Sequence, residues 1–223
     1  MMLPNNTQVL ENAAAVAQQA CELIAAQARQ AIRERGVFRL VMAGGGTPKQ
    51  AYALLAQTPQ EWDKWELYWG DERCLPVDHP ERNSQLGLPT PHRYPMPAEL
   101  GAEAAAEAYA HTIADKLPFD LVMLGMGEDG HTASLFPGRL FPDALTLPVH
   151  DAPKPPPDRV SLGVRALQDC RQQMVVVTGA GKREAMLAWQ AGDNLPIAQA
   201  VRSDACLLMD AAVGIPAPNG QNT

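Results

Sequence analysis

Residues 119–124, apolar but for Asp120, run straight into a glycine-rich turn at Gly125, Gly127 and Gly130. So short an apolar run, closed by glycine, reads as a buried strand. A strand that stops at a flexible turn presents the turn's side chains at the carboxyl edge of its sheet. Open α/β sheets hold their ligands at that edge. This turn carries an acid and an imidazole two residues apart, Asp129 and His131. Imidazole takes and returns a proton near neutral pH more readily than any other side chain. One segment thus supplies a platform, a flexible backbone and a candidate general base.

The rest of the chain sets this strand in an α/β context. Leu10, Ala13, Ala17, Ile24, Ala28 and Ile32 recur at helical spacing and predict a long amphipathic helix ending near Gly36. Further strands are predicted at 38–43, 67–69, 159–163, 174–178 and 205–209, and helices at 48–57, 102–116 and 182–190. A polar loop spans 70–97, and an irregular stretch beyond Pro137 contains Pro153, Pro155, Pro156 and Pro157. Strands alternate with helices with no break in composition and no internal repeat. The expectation is one α/β domain over 1–223 with a mostly parallel sheet.

Charge and cysteine usage narrow the function. A net charge of -7 makes nucleic acid an unsuitable partner, and an anionic substrate would need its cations concentrated locally among the 18 Lys and Arg. Cys21, Cys74, Cys170 and Cys206 form no C-x-x-C and no zinc spacing with histidine, which suits reduced thiols in a cytoplasmic protein. No secretory signal pattern and no membrane-length apolar run is expected. Gly125, Gly127 and Gly130 do fit G-x-G-x-x-G, the dinucleotide fingerprint. That fingerprint needs a sustained helix at its third glycine, and Pro137 and Pro142 would stop one. NAD(P) binding is therefore a minor alternative, and no cofactor is expected.

Three more loops follow predicted strands. Gly44, Gly45, Gly46 and Thr47 precede Pro48 at the start of a helix, where amides and the helix dipole attract phosphate. Thr47 is expected to cap that helix. The sequence Gly70-Asp71-Glu72-Arg73 offers a guanidinium that can grip phosphate and two acids, Asp71 and Glu72, as possible pocket groups. Thr178-Gly179-Ala180-Gly181-Lys182 imitates the end of a P-loop. Val176 stands where the first glycine should be and Arg183 replaces the Ser/Thr, so Lys182 is expected only as a single phosphate contact. Asp129 and His131 have no evident third partner for a metal. There is no G-x-S-x-G for serine hydrolysis.

In order, GGGTP, GDERCLPVDHPERN, GMGEDGHTASLFPG and TGAGK resemble the 6-phosphogluconolactonase family over nearly the whole chain. The resemblance implies a Rossmann-like three-layer fold, shared with the glucosamine-6-phosphate deaminases. It implies cofactor-free hydrolysis of 6-phospho-D-glucono-1,5-lactone to 6-phosphogluconate in the oxidative pentose phosphate pathway, by a monomer or small homo-oligomer. His131 matches the histidine proposed to activate water, with Asp129 as its partner. Arg73 and Lys182 match cations that hold the substrate phosphate, and Gly44 to Thr47 match the phosphate loop. Gly46 stands where the family more often has serine, and Arg82 where it often has serine. Deaminases carry a glutamate after their D-G-H turn where this chain has Phe136. Deaminase-like isomerisation and a non-catalytic sugar-phosphate sensor remain as alternatives.

Overall fold

The computed structural model describes residues 3–216. The one-domain expectation over 1–223 extends past these bounds, and residues 1, 2 and 217–223 lie outside the described residues.

The long helix predicted from the N-terminal apolar spacing forms, with one change at its start. Leu10 belongs to a strand, β1 (Asn6–Leu10), and α1 (Ala13–Arg35) begins only after Asn12. The Asn12 side chain accepts a hydrogen bond from the Ala15 amide at 3.0 Å, which satisfies a donor the helix cannot. Gly36 ends the helix at φ 79, the left-handed position that glycine enters without strain.

The chain continues through β2 (Phe38–Met42), α2 (Gly46–Leu55), β3 (Trp65–Trp69), β4 (Asp71–Arg73) and β5 (His92–Arg93). Next come α3 (Ala102–Ile113), β6 (Phe119–Gly125), β7 (Thr146–Val149), β8 (Arg159–Leu162) and α4 (Val164–Gln168). The last elements are β9 (Cys170–Val177), α5 (Arg183–Ala191), α6 (Pro196–Ala200) and β10 (Cys206–Asp210). Among the described residues, seven strands hydrogen-bond in the order β1-β10-β9-β6-β2-β3-β5, with parallel pairing throughout. The order reverses at β2. The chain runs outward through β3 and β5, then returns to place β6 on β2's other side. A crevice opens at the carboxyl edge where the order reverses.

Side chains alternate along each strand, so the sheet buries two separate cores. Phe38, Leu40 and Met42 of β2 join Val16, Ile24 and Tyr52 from α1 and α2. Val41, between them, joins Tyr109 of α3 and Trp189 of α5 on the opposite face. Strand β6 divides the same way, Leu121 and Met123 against Val122 and Leu124. Both faces are covered, which explains why these strands read as apolar runs. The result is the expected three-layer α/β architecture with a mostly parallel sheet.

Asp120, the lone charge in the β6 run, sits buried at the amino end of the strand, away from the crevice. It accepts from the Arg39 amide at 2.8 Å and pairs with Arg35 at 3.0 Å, so its charge is compensated.

A second sheet is not foreshadowed in the sequence reading. Strands β4, β8 and β7 form an antiparallel sheet of three: β8 answers to the strand expected at 159–163, whereas β4 and β7 come from stretches expected to be loop, at 70–97 and beyond Pro137. These strands are three or four residues long, too short to show a period. The sheet matters because it carries Asp71, Arg73 and Arg159 to the crevice.

Candidate active site

The loops after β2, β3, β6 and β9 converge on a cleft of about 410 Å³ at the carboxyl edge of the parallel sheet. Gly44, Gly45, Gly46, Thr47, Arg73, His131 and Lys182 all line it. The sequence put these residues on separate loops, and the strand order brings the loops together.

His131 and Asp129 form a pair. The His131 ring Nδ1 lies 2.5 Å from Asp129 Oδ1, and the same oxygen accepts from the His131 amide at 3.2 Å. Burial pushes the Asp129 carboxyl up, but the His131 amide and ring outweigh it and hold the group below the ordinary aspartate value. An ionised Asp129 makes Nδ1 the protonated nitrogen of neutral imidazole and leaves a lone pair on Nε2. Nε2 has no hydrogen-bond partner among the described residues, and the ring borders the cleft. Phe136 braces the ring with centroids 4.9 Å apart. Gly127 is the space that allows the pair. A Cβ there would collide with the imidazole and stand 2.6 Å from Asp129 Oδ1.

The glycine loop forms one wall. Gly45 has φ 108, in the left-handed region open to glycine, and α2 begins at the next residue. The amides of the first turn of α2 have no intrahelical acceptor, which gives this wall an excess of donors. Thr47 does not cap the helix as expected. No side chain caps α2, and Thr47 Oγ1 lies instead 2.7 Å from Thr178 Oγ1 across the cleft floor. Helix α2 starts earlier than predicted, so Thr47 already lies inside it and cannot occupy the cap position. A Cβ at Gly44 would strike Asn83 Oδ1, whereas one at Gly46 meets nothing within 4 Å.

Lys182 closes the facing wall at the end of a 3-10 turn before α5. Burial lowers its ammonium below the ordinary lysine value, with Glu128 opposing and Lys154 adding to the effect. Arg73 donates from Nη1 to the Glu81 carbonyl at 2.6 Å, while its buried Nε has no partner among the described residues.

The two acids beside Arg73 part company. Successive residues of a strand face opposite sides, so Asp71 and Arg73 reach the cleft and Glu72 does not. The expectation of Glu72 as a pocket acid is corrected. Fully buried, it accepts from the amides of Arg73, Asn83 and Ser84 at 2.7 to 2.9 Å and faces Arg82 at 3.4 Å. It shapes the backbone that holds Arg73. Asp71 is also occupied: Asn83 Nδ2 donates to Oδ1 at 2.9 Å and Ser134 Oγ to Oδ2 at 2.6 Å. Arg82 is a buried node, tied to Glu99 at 2.8 Å and to the Met96 carbonyl at 2.7 Å.

Arg159, Lys154 and Asn83 also line the cleft and were not singled out as site residues from the sequence. Arg159 reads there only as the first residue of a short strand, and its partner strand is what turns it inward. The Pro-rich approach to it was the available signal, since such a loop must run over something. Among the described residues no group of three His, Cys, Asp or Glu side chains is placed to hold a metal ion. No described helix is long and apolar enough to cross a membrane.

The chain is similar to known proteins in sequence and in fold. A family model described as glucosamine-6-phosphate isomerases/6-phosphogluconolactonase matches residues 11–209. A 6-phosphogluconolactonase of Mycobacterium tuberculosis is 36% identical over 210 residues, 81% of this chain and 85% of that protein. A probable chloroplastic 6-phosphogluconolactonase of Oryza sativa subsp. indica is 34% identical over 206 residues, 77% of this chain; the chain spans 63% of that relative's length. The crystal structure of a 6-phosphogluconolactonase from Thermotoga maritima matches with a TM-score of 0.81 at 26% identity, covering 92% of this chain and 98% of that one. The chain belongs to the glucosamine-6-phosphate isomerase/6-phosphogluconolactonase family.

Proposed function

We propose that this chain hydrolyses 6-phospho-D-glucono-1,5-lactone to 6-phospho-D-gluconate, working as one catalytic domain. The observation that carries the reading is the Asp129–His131 pair, whose free Nε2 borders a cleft ringed by Arg73, Arg159, Lys154 and Lys182. A base beside a cationic pocket fits hydrolysis of an anionic ester.

In this mechanism the phosphate docks among the glycine loop, Arg73 and Lys182. Neutral His131 removes a proton from water through Nε2 as that water attacks the lactone carbonyl. Asp129 fixes the tautomer and stabilises the imidazolium. The tetrahedral oxyanion collapses, the ring C–O bond breaks, and the imidazolium returns its proton to the departing ring oxygen. General base assistance of this kind contributes roughly 10²- to 10⁴-fold. The remaining acceleration comes from holding water, base and carbonyl together.

Phe136 favours the lactonase over the deaminase alternative. By the sequence resemblance it stands where deaminases carry a glutamate; here it is buried against the imidazole and supplies no carboxylate. The sensor alternative leaves the Asp129–His131 pair without a role. All four cysteines are free thiols, which supports a reducing compartment, and the cytoplasm is our assignment. The partner is the small phosphorylated lactone; the acidic net charge of -7 disfavours nucleic acid.

The test is hydrolysis of freshly generated lactone, followed by coupling 6-phosphogluconate to its dehydrogenase. Wild type should exceed the spontaneous rate, and His131→Asn should lose most of kcat while remaining folded. A folded wild type no faster than background would remove the lactonase reading. An active His131→Asn would remove the mechanism.

A further inference from the structure

The cleft contains more positive charge than the glycine loop, Arg73 and Lys182 supply. On the antiparallel ladder between β4 and β8, Arg73 stands directly opposite Arg159, and both side chains line the cleft. Like charges directly opposite one another weaken a ladder. Asp71 is the acid that acts on Arg159, but Asn83 and Ser134 already occupy both its oxygens. One carboxylate therefore faces two guanidiniums, and Arg73 acts against Arg159.

Their donors are also unequally used. Arg159 is only 6% exposed. Its Nε donates to the Pro156 carbonyl at 3.2 Å, and its Nη2 to those of Lys154 at 2.8 Å and Pro155 at 3.4 Å. Its Nη1 has no hydrogen-bond partner among the described residues, and the buried Nε of Arg73 has none either. The Phe136 ring beneath Arg159, with its guanidinium carbon 5.7 Å from the centroid, limits where that side chain can move. A buried donor left unmade is costly, and a buried charge without a partner more so. An anion with several acceptor oxygens, seated between the two side chains, would resolve both.

We infer that Arg159 is a second guanidinium contact to the substrate phosphate, gripping it jointly with Arg73 and setting the preference for phosphorylated over unphosphorylated lactones. This rests on the lactonase reading above. A phosphate dianion matches two guanidiniums in charge and offers three terminal oxygens to their planar donors. Lysine at this position would keep the charge but could not hold the loop carbonyls and the anion at once.

The test compares wild type, Arg159→Met and Arg159→Lys. Inorganic phosphate is titrated calorimetrically into each. The value of kcat/KM is measured on 6-phosphogluconolactone and on unphosphorylated glucono-1,5-lactone. Thermal melts establish that each variant is folded. The expected result is a phosphate affinity about 10- to 100-fold weaker in Arg159→Met. The KM for the phosphorylated lactone rises by a similar factor, and its loss in kcat/KM exceeds that on the unphosphorylated lactone by at least about tenfold. Arg159→Lys recovers part of both. A residue acting only to hold the loop would depress both substrates alike. Equal losses on the two lactones, or wild-type phosphate affinity in a folded variant, would overturn the inference. If Arg159→Met fails to fold, Arg159→Lys carries the same comparison. If wild type hydrolyses neither lactone, the lactonase reading fails while the phosphate titration still decides the role of Arg159.

Discussion

Gly127→Ala is a one-methyl change that should disable the chemistry while leaving the fold. Gly127 does not sit in the left-handed region, so alanine meets no backbone strain there. The obstacle is space. The new Cβ would collide with the His131 imidazole and lie 2.6 Å from Asp129 Oδ1, against ordinary carbon contacts of about 3.5 to 4.0 Å. Imidazole or carboxylate must then retreat by about 1 Å or more, and their 2.5 Å contact cannot survive intact. A misplacement of about 1 Å can cost roughly 10²-fold, and complete loss of the base roughly 10⁴-fold. The expected fall in kcat lies between those limits, about 2.7 to 5.4 kcal/mol of barrier. Overpacking of this kind costs about 1 to 3 kcal/mol of stability, which a domain of this size survives. The coupled dehydrogenase assay reads kcat, urea melts read stability, and phosphate titration should stay within about threefold of wild type. A folded Gly127→Ala enzyme with wild-type kcat would refute the Asp129–His131 geometry as the catalytic element.

Two further outcomes follow from the same structure. Gly46→Ser should be tolerated, because a Cβ there meets nothing within 4 Å and the backbone is not left-handed. Stiffening the unfolded chain should raise stability by about 0.4 to 1 kcal/mol, and a midpoint in urea below wild type would contradict this. His150 bridges Asp158 at 2.8 Å and Glu103 at 2.7 Å, and its imidazole pKa is raised by hydrogen bonds to Asp158 first and Glu103 second. A raised folded pKa contributes stability that is fully present below the unfolded value of about 6.5 and lost as pH rises through the folded one. The melting temperature of wild type should therefore exceed that of His150→Gln at about pH 6, with the gap closing towards about pH 9. A gap that does not change with pH would show that the bridge is not ionic.

What could be read from the sequence, and what could not, divides by physical scale. Strands β2, β6 and β9 carry apolar runs because both faces of the sheet are covered, and their glycine turns declare where the runs stop. Asp129 and His131 are neighbours in the chain, so their pairing is a local event. Glu72 is different. Whether it or Asp71 faces the cleft depends on 71–73 being a strand, and three residues carry no readable period. Arg159 is harder still. It becomes a site residue only because β8 pairs antiparallel with β4 and sets it opposite Arg73. Register across so long a separation is a tertiary fact, fixed by the whole second sheet. Leu10 shows the converse error: its spacing fits the helix, but Asn12 caps α1 and leaves Leu10 to pair beside Asp210 on β10.

The family model names both glucosamine-6-phosphate isomerases and 6-phosphogluconolactonase, and the sequence resemblance implies a glutamate in the deaminases where this chain has Phe136. Ring opening and proton shuttling on an amino sugar require a carboxylate that works with the histidine. Hydrolysis of a lactone requires one base, a held water and a carbonyl already activated by its ring oxygen. Phe136 supplies no proton carrier, but it presses on the His131 ring and limits its rotation. The guanidinium carbons of Arg139 and Arg159 stand 5.8 and 5.7 Å from the Phe136 ring centroid. A carboxylate placed there would be drawn into ion pairs with those arginines and kept from accepting a proton at neutral pH. The surroundings of position 136 therefore suit an aromatic ring, and Phe136→Glu alone should not confer isomerisation; turnover of glucosamine 6-phosphate by that variant would refute this.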